Sequence, residues 1–69
     1  MPIIVRLDVV MAQRKERGLD LARRIGLTPA NLSKLTTGKI KAIRFSTLEA
    51  LCRELQCQPG DLLEYVEEE

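Results

Sequence analysis

Leu21 to Gly38, LARRIGLTPANLSKLTTG, is the stretch that decides the fold of this chain. It predicts two short helices joined by a tight turn at Ile25-Gly26-Leu27. Gly26 supplies the positive φ that a sharp corner between helices requires. Thr28 follows as a hydroxyl N-cap, with Pro29 at the first helical position, where a missing N–H costs nothing. Leu32 and Leu35 share one face, and Ala22, Ile25 and Leu27 form the surface they close against. Gly38 ends the second helix as a left-handed C-cap. The opposite side of that helix holds Ala30, Ser33, Lys34 and Thr37, which are small or polar with one cation.

The spacing is that of a helix-turn-helix: Leu21-Ala22, three residues, Gly26, one residue, an N-cap, then Leu32 and Leu35. The chain resembles the Cro/C1-type (XRE) family of small DNA-binding regulators. The likeness extends past the turn. Gly38-Lys39, then Arg44-Phe45, a helix from Ser46 to Leu55 and the closing QPGDLLEY follow the same pattern, so roughly residues 7 to 65 are covered. The resemblance implies an all-α, five-helix domain. A short N-terminal strand is added by the residues themselves, as argued below.

The resemblance also implies which side chains meet DNA. The family's base-reading sites fall on Pro29, Ala30 and Lys34, with Ser33 beside them; its phosphate-holding sites fall on Thr28, Thr37 and Lys39. Chemistry permits part of this. Lys34 can donate to guanine O6 and N7, and Ala30 can touch a thymine methyl, whereas Pro29 offers only apolar contact. Asn31 has the best chemistry for adenine but sits beside Leu32 and Leu35, so a half-buried structural role competes with a reading one. After Gly38, the basic residues Lys39, Lys41 and Arg44 alternate with Ile40, Ala42 and Ile43. The resemblance makes them backbone clamps, with Arg44 aimed at the minor groove, where negative potential is concentrated; an ordinary solubilising loop is the competing role for Lys39 and Lys41. One position departs from the family. A Gln usually stands four residues before the alanine of helix 2, and here Gly18 occupies that place, leaving only a backbone N–H to hold a phosphate.

Composition sets the outer bounds. Sixty-nine residues make one small domain, near the lower limit for an unaided core. There is no apolar run near the roughly 20 residues of a membrane span. Two cysteines and no histidine leave no zinc ligand set within one chain, and two reduced thiols in a cytoplasmic setting are expected. No metal, cofactor or effector domain is expected, and neither acid–base pairs nor a phosphate loop point to an enzyme. Net charge is +1, which conceals an asymmetry. Residues 1 to 44 hold ten Lys or Arg against three acids; residues 45 to 69 hold Arg53 alone against seven acids. The basic half contains the helix-turn-helix and fits a polyanion.

The remaining segments complete the expectation. Pro2 to Leu7 is β-branched and alternating, so it predicts a strand. A lone strand is not stable, and its partner is either Leu62 to Val66 or the same strand of a second subunit. Asp8 is expected to cap helix 1, about Val9 to Arg17, with Gly18 breaking it; helix 2 runs from about Leu19 to Ile25 and helix 3 from about Pro29 to Thr37. Phe45, the single Phe, is expected as a core anchor. Ser46 and Glu49 form a capping box for helix 4, with Leu48, Leu51, Cys52 and Leu55 on its inner stripe. Pro59 opens a short final helix or turn. Tyr65 is expected over the core edge, and Glu67 to Glu69 as an acidic tail. The functional expectation is a double-stranded-DNA-binding transcriptional repressor acting as a homodimer. The rival is a protein-binding adaptor or antitoxin-like module on the same scaffold.

Overall fold

Leu21 and Ala22 have no exposed surface, and the helices close around them. A computed structural model describes residues 3–67 of the chain. The order is β1 (Ile3–Val5), α1 (Leu7–Gln13), α2 (Gly18–Ile25), α3 (Pro29–Thr36), α4 (Phe45–Leu55), α5 (Pro59–Leu62) and β2 (Leu63–Tyr65). Each helix contributes one stripe. Leu7, Val10 and Met11 come from α1, Leu32 and Leu35 from α3, Leu51 and Leu55 from α4, and Leu62 from α5. Val5, Ile25, Leu27, Ile40, Ile43, Leu48 and both cysteines pack around them half-buried. Full burial of a leucine is worth roughly 1.5–3 kcal/mol, and leucines dominate a core that contains no aromatic residue among the described residues.

The two alternatives for the N-terminal strand resolve within the chain. β1 pairs antiparallel with β2 in the register Ile3 to Tyr65, Ile4 to Glu64 and Val5 to Leu63. The Arg6 N–H extends the pairing by donating to the Leu62 carbonyl at 2.7 Å, and its guanidinium binds Glu64. That anchorage moves the start of α1. The expected cap at Asp8 is not used: Arg6 occupies the cap position, its carbonyl accepts from Val10 N–H at 3.2 Å, and Asp8 lies in the first turn. The chain must turn directly out of the strand, so the helix begins as soon as Arg6 is tied down.

Four helices end alike. A residue two or three beyond each end sends its N–H back five positions: Glu16 to Met11 at 2.9 Å, Leu27 to Ala22 at 2.9 Å, Lys39 to Lys34 at 3.0 Å and Cys57 to Cys52 at 3.1 Å. This is the Schellman closure, with a left-handed residue between. Gly26 (φ 77°) and Gly38 (φ 72°) serve as expected. Lys15 (φ 55°) and Gln56 (φ 52°) do the same without being glycine. The Lys15 turn explains a second correction. Helix 1 stops at Gln13 rather than Arg17, and Gly18, expected to break it, is the first residue of α2.

Two further expectations fail at α4. The helix starts at Phe45, with Arg44 extended in the cap position, and no side chain caps it, so Ser46 and Glu49 do not form a capping box. Leu48 N–H reaches the Arg44 carbonyl at 3.0 Å, so the helix starts two residues before the place the box would set, and Leu48, Leu51 and Leu55 pack on or against the core. A reciprocal cap of that kind sits instead at α5, where the Asp61 carboxylate accepts from Gln58 N–H at 2.9 Å. Phe45 is 87% exposed and anchors nothing, because the first position of α4 faces away from the core. Tyr65 is also largely exposed, lying past the edge of the packed interior. Of the expected strand and tail, Pro2, Glu68 and Glu69 lie outside the described residues.

Candidate nucleic-acid interface

α3 is held by its inner face and presented by its outer one. Leu32 and Leu35 are buried, while Pro29, Ala30, Asn31, Ser33, Lys34 and Thr37 are exposed. Its start is fixed as the residues require. Thr28 Oγ1 accepts from Asn31 N–H at 3.1 Å, and Pro29 stands at the first position. Asn31 therefore takes part in the cap through its backbone alone. The half-burial expected of its side chain does not occur, since the residue is exposed. Thr37 Oγ1 donates to the Ser33 carbonyl at 2.8 Å, so the hydroxyl expected at a phosphate is already engaged within the helix.

Asn31 and Lys34 of α3 meet Arg44 across one open groove. Its volume is about 400 Å³, and Leu27, Leu35, Ile40, Ala42, Ile43 and Thr47 complete its walls. No acid lines it. The groove brings together three of the ten residues singled out from sequence. Lys41 lies elsewhere, on an apolar cleft between the loop and the β1–β2 ribbon. Pro29, Ala30, Ser33 and Lys39 are exposed outside the groove walls.

Charge in the basic half divides by engagement. Arg6 binds Glu64. Arg24 donates to Glu16 at 2.6 Å and to Glu54 at 2.8 Å, and the hydrogen bond to Glu16, with that to Glu54 next, holds its pKa above the ordinary arginine value. Arg14 Nε–H donates to the Leu55 carbonyl at 2.9 Å, which places a cation on the carbonyl end of α4. These three arginines are structural. Lys15, Arg17, Arg23, Lys34, Lys39, Lys41 and Arg44 have no carboxylate partner among the described residues. Arg17 and Arg23 were not among the residues singled out from sequence. Arg17 is the extended residue that precedes α2. A backbone N–H at a helix start beside a free guanidinium suits a phosphate. The signal was present in the sequence as the run of arginines around Leu21, but nothing in that run distinguishes Arg23 from the engaged Arg24.

The cysteines are half-buried and free. Cys57 closes the end of α4 against Cys52, and burial, with Cys52 next, pushes its thiol above the usual range. A raised thiol pKa leaves little thiolate at neutral pH.

Three comparisons bear on this geometry. The model of the Cro/C1-type HTH DNA-binding domain matches residues 6–68. Over 69 residues, all of this chain and 82% of the relative, the sequence is 56% identical to the HTH-type transcriptional regulator YozG of Bacillus subtilis (strain 168), itself uncharacterized. The fold superposes on the crystal structure of a candidate DNA-binding protein from Bacteroides fragilis with a TM-score of 0.80, covering 90% of this chain and 98% of that one at 21% identity. That last likeness is one of fold.

Proposed function

This chain belongs to the Cro/C1-type helix-turn-helix DNA-binding family, and from that premise we propose that it is a cytoplasmic, sequence-specific repressor that binds double-stranded DNA as a homodimer. Each subunit seats α3 in the major groove of a half-site. Lys34 reads guanine, Asn31 is positioned to read adenine, and Ala30 takes up a thymine methyl. Arg44, across the groove from Lys34, reaches the adjacent minor groove. Lys39 and Lys41 hold phosphate through their ammonium groups. The Thr28 and Thr37 hydroxyls add weaker contacts from their capped positions, and Pro29 and Ser33 line the approach.

The observation that carries this reading is the acid-free groove uniting Asn31, Lys34 and Arg44 on the outer side of a helix whose inner side is closed by Leu32 and Leu35. With one asparagine and one lysine for base edges, direct readout is modest. Shape and phosphate contacts therefore supply much of the affinity. The test is selection of bound duplexes from a random pool at low and moderate salt. An enriched palindrome with half-sites about one turn apart, on the order of 34 Å, is the expected result. Failure to retain any duplex at low salt would overturn the reading in favour of a protein-binding role.

A further inference from the structure

We infer that the open edge of β1 is where a second copy of this chain docks, β1 against β1 about a twofold axis through Ile4. The inference deepens the dimeric reading above and rests on it. It begins with backbone direction. In an antiparallel pair, residues alternate between pointing their N–H and C=O at the partner strand and away from it. The Arg6 N–H donates to Leu62, so Arg6 and, two back, Ile4 face β2. Ile3 and Val5 therefore aim their backbone groups outward.

The two outer edges of the ribbon differ. On β2, the Leu63 N–H is taken by the Pro59 carbonyl, Glu64 pairs with Arg6, and Glu67 follows in the continuation of the strand. On β1, no backbone partner meets Ile3 or Val5 among the described residues, and Ile3-Ile4-Val5 holds no charge. Charge, bulges and cover are the devices that keep a strand edge from pairing, and the three residues of β1 hold none of them. Ile3 is 48% exposed. Ile3 and Val5 also form one wall of an apolar cleft of about 430 Å³, with Ile40, Ala42 and Ile43 opposite and Lys41 as its one charge.

The edge is complementary to itself. A twofold axis at Ile4 sets Ile3 opposite Val5 of the second copy, and Val5 opposite Ile3 of the second copy. Each of these pairs exchanges both N–H···O bonds, so all four outward groups of each strand are satisfied. The two Ile4 residues become a close cross-strand pair. The cleft shares Ile40, Ala42 and Ile43 with the groove that holds Lys34 and Arg44. The interface is thereby contiguous with the DNA-facing loop, as a closed twofold assembly on a palindrome requires.

Sedimentation equilibrium of the full chain and of Ile3→Pro tests this. Proline removes one outward N–H while sparing the bonds through Ile4 and Arg6, and is tolerated on an edge. The wild type is expected to be a dimer and Ile3→Pro to raise the dimer Kd on the order of tenfold or more, with circular dichroism unchanged. Ile4→Cys gives an independent readout that keeps the fold unperturbed: mild oxidation is expected to link two chains through residue 4, identified by peptide mapping. A wild-type monomer at concentrations on the order of 100 µM, or a dimer indifferent to Ile3→Pro that forms no link through residue 4, overturns the inference. The first outcome leaves the edge to a strand of another protein. Duplex binding by the same samples separates the two proposals, because a monomer that binds DNA removes only this one.

Discussion

Two of the four left-handed helix ends are glycine and two are not, and the difference is measurable. A non-glycine residue in that conformation costs roughly 1–2 kcal/mol. Lys15→Gly and Gln56→Gly are expected to recover part of this, raising stability by up to about 1 kcal/mol each in denaturant unfolding. Gly26→Ala and Gly38→Ala are expected to lower it by about 1 kcal/mol or more. Nothing lies within 4 Å of the added methyl at either position, so the loss is backbone strain and not a clash. At the interface, Lys34→Ala and Arg44→Ala are each expected to weaken binding to the selected operator with the melting temperature unchanged. Lys34→Ala should also relax base preference at one position, worth about 1–3 kcal/mol of discrimination. If both variants bind and discriminate like the wild type, Lys34 and Arg44 are not the reading pair.

Among the elements, α4 depends on a side chain from α1. Arg14 donates to the carbonyls of Leu55 and Gln56, which no residue of α4 itself can satisfy. Arg14→Ala is expected to cost about 1–2 kcal/mol, by loss of charged hydrogen bonds and of the cation at the helix end. Arg14→Lys should recover only part, since it lacks the fork of donors. Chemical denaturation of the three proteins checks this. The same elements show what was legible in the sequence. α3 was read closely because Gly26, Thr28, Pro29 and Gly38 are local signals at short spacing. The end of α1 was not, because Lys15 gives no residue-level sign that it will adopt a left-handed turn. Ser46 misled because a capping box is a local pattern, whereas the start of α4 is set by the reach of Leu48 and Leu51 to the core. Phe45 misled because hydrophobicity alone does not say which side of a helix start faces inward. Arg24 could be sorted from Arg23 only once Glu16 and Glu54, distant in sequence, were brought together.

The whole molecule is bipolar, and its electrostatics are split between holding the fold and meeting a ligand. Arg24 ties the basic half to Glu54 of the acidic half, while seven cations of the basic half have no carboxylate partner among the described residues. If all seven met phosphates, the log–log dependence of binding on salt would have a slope of about −6 per subunit. A measured slope well short of that, with Arg17→Ala and Arg23→Ala leaving it unchanged, would confine the phosphate contacts to α3 and its following loop. Stability should respond far less to salt than binding does, because exposed ion pairs such as Arg6–Glu64 contribute little and the core is leucine.

The pairing of Ile3–Val5 with Leu63–Tyr65 joins the earliest described segment to nearly the latest. On a ribosome, β1 waits for its neighbour until residue 65 has cleared the exit tunnel, and until then its strand is bare on both sides. The same closeness makes the fold a candidate for circular permutation, with a short linker across the ribbon and new ends opened in the loop 39–43. Such a permutant would keep every helix while cutting the segment that shapes the groove, and would separate folding from recognition in a single chain.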